Sequence, residues 1–440
     1  MKRWLCAGAL ILGLCWVTGQ LWSQRSDSPE TLATATDDTD KPSAKSKPSK
    51  RTVRVGPDRK YTRPSQAASA VKDGTVVEID AGVYTGDVAV WRQNDLTLRG
   101  VGGLAHLKAD GAAADGKAIW VIKGSNTRVE NIEFSGARVR DKNGAGIRQE
   151  GPGLTVVGCS FHDNQNGILV GRNPESEIVI ERSEFARNGH GDGQSHNMYI
   201  SKVRSFTLRH SYVHHAKIGH NVKSRALTSY ILYNRIMDEE SGSSSFAVDL
   251  PNGGRAFVIG NLFQQGPFAD NWSMLNYASD RKREGYEEQL CVVNNTFVNT
   301  HDSGVFVKNK GTKPARLINN IFAGRGTVLS GPGDLAGNLA ARSFGLKDRV
   351  AHLVTGDTKV FAGPDDDGAN VVSADARFVD AGSYDYRLLA DSPAIDAGVD
   401  PGVVEGYSLA PSSQYLHPSN GKSRQPVGAI DVGAYEFPRD

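Results

Sequence analysis

With 440 residues, the chain has room for one large domain or two ordinary ones. Hydrophobic residues make up 39% and charged residues 23%, a balance that excludes a largely disordered protein. The net charge of +2 gives no basic field of the kind that holds nucleic acid, and 49 glycines favour tight turns over long helices.

Residues 1–22 open with Lys2 and Arg3 before an apolar run from Trp4 to Val17. The run is 14 residues long, short of the roughly 20 that span a bilayer. It reads as a secretory signal with Val17-Thr18-Gly19 as its cleavage site, or else as an uncleaved N-terminal anchor. Either way the body is expected to be exported, periplasmic or secreted. Residues 23–50 are Ser, Asp, Thr, Lys and Pro with almost nothing apolar. They predict a disordered linker, which leaves 51–440 as one folded domain.

From about residue 125 a phrase recurs. It appears as VENIEF, VVGCSF, IERSEF, LRHSYV, LYNRI, IGNLF, VNNTF and INNIF. Its terminal apolar positions are Phe134, Phe161, Phe185, Val213, Ile236, Phe263, Phe297 and Phe322, spaced by 27, 24, 28, 23, 27, 34 and 25. Two positions before each stand Ile132, Cys159, Ser183, Ser211, Asn234, Asn261, Asn295 and Asn320. A second short strand lies between the copies: AIWVI, GIRQE, GILVG, NMYIS, HNVKS, FAVDL, MLNYA and GVFVK. Repeats near 25 residues with short strands predict a stacked solenoid, with units about 4.8 Å apart. The recurrent Asn fits left-handed bends between strands, and its amides can form a ladder. Cys159 and Cys291 fall five turns apart, beyond disulfide reach.

This pattern resembles the right-handed parallel β-helix family to which the pectate lyases belong. The resemblance implies an all-β fold, a right-handed parallel β-helix solenoid with an N-terminal cap helix. PSQAASAVKDG (64–74) looks like that cap, inside an opening turn over 53–88. The core turns would run over about 75–340. The segment 341–440 would close the domain, with ADARFVDAGSYDYRLLADSPAIDAG and GAIDVGAYEF as its marks. The match covers about 53–437. It is specific for the fold, while the reaction depends on the site built upon it. A monomer is expected.

Strand alternation sorts the second strand of each turn. It puts Arg148, Glu150, Asn197, Tyr199, Asn221, Lys223, Arg225, Asp249, Leu275 and Tyr277 outward, on one strip. Six of the eleven histidines fall between His190 and Arg225. The His-Asn pairs 196–197 and 220–221 suggest stacked imidazoles at the edge of that strip. At most one of His214 and His215 can face it. Trp272 and the long insertion SDRKREGYEEQ (279–289) would wall the groove.

The family's commonest reaction is β-elimination on uronate polysaccharides. It needs a base for the proton on carbon 5, a cation on the carboxylate and an acid for the leaving oxygen. NVKS (221–224) is similar to the strand that bears the catalytic lysine in alginate-lyase and chondroitinase-type members. Lys223 is therefore the expected base, with Arg225 lowering its pKa by like charge. In those enzymes an arginine on the next turn completes the site. Here Asp249 stands near that place, so Arg225 or Arg148 must neutralise the carboxylate. His220, His196 or Tyr199 is the proton donor. Arg148, Asn197, Asn221, Asp249, Trp272 and Tyr277 are expected substrate contacts.

Glu150, Asp249 and the run Asp238-Glu239-Glu240 offer oxygens for Ca²⁺. Adjacent-turn histidines with Asp249 could bind Zn²⁺, though no H-x-x-x-H spacing is present. NGHGDG (188–193) contains the Gly-His-Gly of polygalacturonases without their other carboxylates, and the Asp-Pro-His-Asp signature of β-helix epimerases is absent. The reading is a lyase acting on an acidic polysaccharide. Its rivals are an epimerase or a hydrolase on the same scaffold, and a non-catalytic glycan-binding solenoid.

Overall fold

Apolar residues at every second position make each short strand bury one face, and no single turn can cover that face alone. A computed structural model, describing residues 51–281, 284–343 and 370–439, shows the solution to that problem. The segments expected to be a signal and a linker, 1–22 and 23–50, lie outside these residues, as does part of the closing segment. The chain coils as a right-handed parallel β-helix. Two strands per turn feed a 22-stranded sheet, and one strand per turn feeds a 10-stranded sheet. The smaller sheet runs from Ala89–Trp91 through Ala118–Ile122, Ala145–Gln149, Asn166–Val170, Met198–Ile200, Val222–Ser224, Val248–Leu250, Ser273–Tyr277 and Val305–Asn309 to Thr327–Ser330. The expected cap is a single short helix, Pro64–Ala68, which buries Pro64, Ala67 and Ala68 over the opening turns.

The terminal apolar positions of the repeat point inward and stack. Phe134, Phe161 and Phe185 have ring centroids 4.9 and 4.7 Å apart. Phe263, Phe297 and Phe322 repeat the stack at 4.6 and 5.2 Å. These separations match the strand spacing that stacks the turns. Cys159 and Cys291 are buried free thiols, as expected.

The amide ladder is present and longer than the sequence pattern. Asn234, Asn261, Asn295, Asn320, Asn338 and Asn370 each accept, through Oδ1, the backbone N–H of the residue one turn before. From Asn234 onward each side-chain Nδ2 also donates to the next Oδ1 at 2.9 Å. The left-handed residue is not the ladder asparagine but its predecessor. Asn131, Arg182, His210, Tyr233, Asn294 and Asn319 all have φ between 45° and 56°. That bend turns the ladder side chain inward, where its predecessor faces the closing segment. Asn319 meets Val399, and Asn294 meets Asp431.

The closing segment lies against the outer face of the larger sheet. Met237, Leu262, Ile321 and Leu339 of the solenoid pack there with Phe378, Tyr386, Leu388 and Tyr415. Arg424 is fully buried and pairs with Glu436 at 2.8 Å. It also donates to the carbonyls of Asp431 and Gly433.

Replacing Asn295 by Ala removes the acceptor of the Asn261 backbone N–H and one acceptor of its side-chain amide, which keeps the Ile231 carbonyl. An unsatisfied buried donor costs about 1–3 kcal/mol. The melting temperature of Asn295→Ala should fall by several degrees with the strand circular-dichroism spectrum retained. An unchanged melting temperature would show that the ladder adds no net stability.

Candidate active site on the ten-stranded face

Parallel register places one residue of each turn directly above its counterpart. On the outer side of the smaller sheet this builds a column of Arg148, Leu169, Tyr199, Lys223, Asp249, Asn276 and Lys308. Below Arg148 the column is apolar. Val90 and Val121 lie there, in an outer cluster with Ala118 and Ala145. The polar, chemically equipped part therefore begins at Tyr199.

Lys223 is the centre of that part. Its side chain is only 16% exposed, and Nζ lies 3.4 Å from Asp249 Oδ2. His220 Nε2 lies 3.3 Å from the same oxygen. Asn276 donates to the other carboxylate oxygen at 2.8 Å. Asp249 is thus held on both oxygens, and it fixes Lys223 in turn. Burial, the largest influence, lowers the Lys223 amine from its ordinary 10.5; Asp249 opposes this and Arg225 adds to it. Burial also raises the Asp249 carboxyl. The charge-separated pair is weakened from both ends, and the amine leans toward its neutral, basic form.

Arg225 follows Lys223 by two residues, on the same side of the strand. Its Nε donates to the Tyr199 hydroxyl at 3.1 Å, and its Nη1 donates to Asp280 at 3.0 Å and to Asn252. The Tyr286 hydroxyl donates to the Arg225 carbonyl at 2.9 Å. Lys202 lies 4.6 Å from the Tyr286 ring centre. The long loop thus folds back on the site as a wall, through Asp280 and Tyr286. Residues 282 and 283 lie outside the described part.

The two His-Asn pairs form two nested ladders. His196 and His220 stack with ring centroids 4.6 Å apart and planes 14° apart. His220 donates its backbone N–H to His196 Nδ1 at 3.0 Å. Phe246 does the same to His220 Nδ1 at 3.4 Å. The stack requires a close approach just before it, because a Cβ on Gly219 would sit 1.9 Å from the Ser195 carbonyl oxygen. Each Nδ1 is an acceptor, so each ring carries its proton on Nε2. Burial, then Lys223 and Arg225, pushes His220 down to about 3. Burial, with His220 and the same two cations, holds His196 well below its ordinary 6.5. Both shifts favour the neutral imidazole over the cationic acid.

The structure revises the placement of five further residues. Asn197 and Asn221 do not face out; they are 0% and 1% exposed. Their amides form the inner ladder, in which Asn188 donates to Asn197, Asn197 to Asn221 and Asn221 to Ser244. Tyr277 also points inward, 1% exposed, with its hydroxyl donating to the Gly254 carbonyl at 2.7 Å. Leu275 and Tyr277 register with Val248 and Leu250, so Asn276 takes the outward place. Arg148 stands three strand steps from Lys223, roughly 14 Å at about 4.8 Å per step. Its nearest acid is Glu150 at 3.9 Å, and it cannot share a carboxylate with Lys223.

Trp272 is 66% exposed. It lines a shallow recess of about 370 Å³ with Asp270, Asn271 and Lys308. His214 and His215 lie away from the column, since Tyr212–His214 is a strand of the larger sheet. The oxygens offered for Ca²⁺ do not converge. Glu150 takes Lys117 at 2.6 Å, Asp238 is buried against Ser244, and Glu239 meets Tyr212 and Arg235. Zinc on His196, His220 and Asp249 fails as well, because each Nδ1 lone pair accepts a backbone N–H, which leaves the ring proton on Nε2 and no lone pair there for the metal.

Asn252 and Asn276 are not foreseen from sequence, and Asp280 and Tyr286 enter only as part of the insertion 279–289. Asn276 was one residue away. The apolar–polar–apolar triplet Leu275-Asn276-Tyr277 copies Val248-Asp249-Leu250 and could have set the register.

Residues 107–263 match a family model described as right handed beta helix region. No curated protein matches the chain significantly. Among solved structures, the pectate lyase Pel9A is 14% identical, covering 88% of this chain and 97% of that one, with a TM-score of 0.46. An arginine-to-alanine mutant of the PL6 family alginate lyase AlyGC is 13% identical, covering 66% of this chain and 40% of that one, with a TM-score of 0.37. The family model and the coil itself agree on the class, a right-handed parallel β-helix.

A histidine with a depressed folded pKa takes up its proton in the unfolded chain first. Stability therefore falls as pH drops from 6.5 toward about 3, across the window set by His220. Urea unfolding at pH 7.5 and 4.5 should show a smaller acid loss for His220→Gln than for the parent. An equal loss would place the acid sensitivity elsewhere.

Proposed function

We propose that the chain is an exported polysaccharide lyase that cleaves an acidic, uronate-containing polymer by β-elimination. One observation carries this reading. A mostly buried lysine amine with a lowered pKa stands on an outward column beside a tyrosine whose hydroxyl is held by an arginine. Lys223 Nζ, as the free amine, takes the proton from carbon 5. The electron pair becomes the C4=C5 double bond as the C4–O bond breaks. Tyr199 gives its proton to the departing oxygen; its own oxygen already accepts from Arg225, so its hydrogen is left for the substrate. Arg225 faces the carboxylate and stabilises the charge that spreads onto it. Asp249, His220 and Asn276 position the lysine. Lys308 and Trp272 lie farther along the column, where neighbouring sugars would contact a cation and an aromatic face.

The test is a panel of uronate polymers followed by ultraviolet absorbance of the unsaturated product. Lys223→Ala should lose about 10²-fold or more in rate, the scale of general base catalysis. The rate should rise with pH along a limb centred below 10.5, because burial lowers Lys223. Asp249 raises that pKa, so Asp249→Asn should move the limb to lower pH. Absence of an ultraviolet product on every polymer, or a Lys223→Ala chain as active as the parent, would sink the proposal. Inverted uronates without cleavage would make the chain an epimerase.

A further inference from the structure

The larger sheet carries a second cluster of chemically active side chains, outside the column described above. His106 lies in Thr97–Lys108, Glu133 in Ile132–Ser135 and His162 in Ser160–His162, on three successive turns. Register sets His106 beside Glu133 and His162 beside Ser135. Phe134 and Phe161 point inward between them, so alternation turns all three side chains outward. Each is roughly a quarter exposed, at 22%, 24% and 24%.

The donor atoms converge. Glu133 Oε1 lies 2.9 Å from His162 Nε2 and 3.4 Å from His106 Nε2. All three donors fall within 4.8 Å of one another. Two ligands at about 2.0–2.1 Å from a tetrahedral ion stand roughly 3.3 Å apart. Both distances from Glu133 lie near that spacing, and the two imidazole nitrogens fall within 4.8 Å of each other. His162 is oriented as zinc-bound imidazoles are: its Nδ1 faces Asp163 Oδ2 at 3.0 Å, which leaves Nε2 as the ligating nitrogen. Asp163 is fixed in turn by Arg187 at 3.1 Å and Lys217 at 3.4 Å. His106 Nε2 meets the Ser135 hydroxyl at 2.7 Å, a small neutral group that can rotate away.

We propose that His106, Glu133 and His162 bind one Zn²⁺ and clamp three successive turns of the solenoid. Two imidazoles and one carboxylate suit zinc, and three protein donors leave a fourth position for water. The Lys223 site is on the other sheet, so lyase activity and zinc binding can be tested apart.

The experiment uses untagged, chelator-treated protein and zinc chloride alone, followed by calorimetric titration. One Zn²⁺ per chain should bind, and the melting temperature should rise with zinc. His106→Gln and His162→Gln should each weaken binding by about 10²-fold or more. Asp163→Asn should weaken it by about 10–100-fold, the usual scale for a group that orients a ligand. Lys223→Ala should bind zinc as the parent does. An anomalous-scattering peak between His106, Glu133 and His162 in a zinc-soaked crystal would locate the ion. Failure to bind zinc overturns the proposal. So does unchanged binding in the His106→Gln/His162→Gln double variant with a normal melting curve in the absence of zinc.

Discussion

The structure depends on the match between strand spacing and side-chain stacking. Each turn must sit about 4.8 Å above the last for its backbone to pair. At that distance identical groups meet face to face. Phenylalanine rings stack at 4.7–4.9 Å in the Phe134–Phe185 run, and asparagine amides bond head to tail. The amide ladder adds direction, because each Oδ1 takes both a backbone and a side-chain N–H from the preceding turn. A slip of one residue would put every ladder asparagine on the wrong face. Register is therefore locked by buried polar groups that are satisfied only in one arrangement.

The same rule builds the site. Lys223, Asp249 and Asn276 touch because they hold one register position on three consecutive turns. They are far apart in sequence and adjacent in space, with no loop needed to bring them together. His196 and His220 show how a reactive residue type can be spent on structure. Their stack, with each Nδ1 taking a backbone N–H, leaves the imidazoles neutral and turns His220 Nε2 toward Asp249. His220 reaches Lys223 through their shared partner Asp249.

The two faces of the coil have different fates. The larger sheet is covered along its later turns by the closing segment, through Phe378, Tyr386 and Tyr415. Among the described residues the closing segment does not reach the earlier turns where His106, Glu133 and His162 converge. The smaller sheet is walled by the loop that carries Asp280 and Tyr286. On that face Asp249 anchors Lys223, and Arg225 holds the Tyr199 hydroxyl.

The sequence by itself determined the coil. A repeat near 25 residues, with inward Phe and a polar residue two positions before it, has no other stable packing once each unit must bury its apolar face. It also determined which strand positions of Tyr199, Lys223 and Asp249 face out, since alternation is a local property. Only the tertiary structure decided the rest. It showed that Asn197 and Asn221 are turned in by bends whose direction no local pattern encodes. It showed that Tyr277 belongs inside, because register with Val248 and Leu250, not parity counted from within its own strand, sets its face. The pKa of Lys223 likewise depends on burial and on Asp249, which lies 26 residues onward in the chain and 3.4 Å away in space.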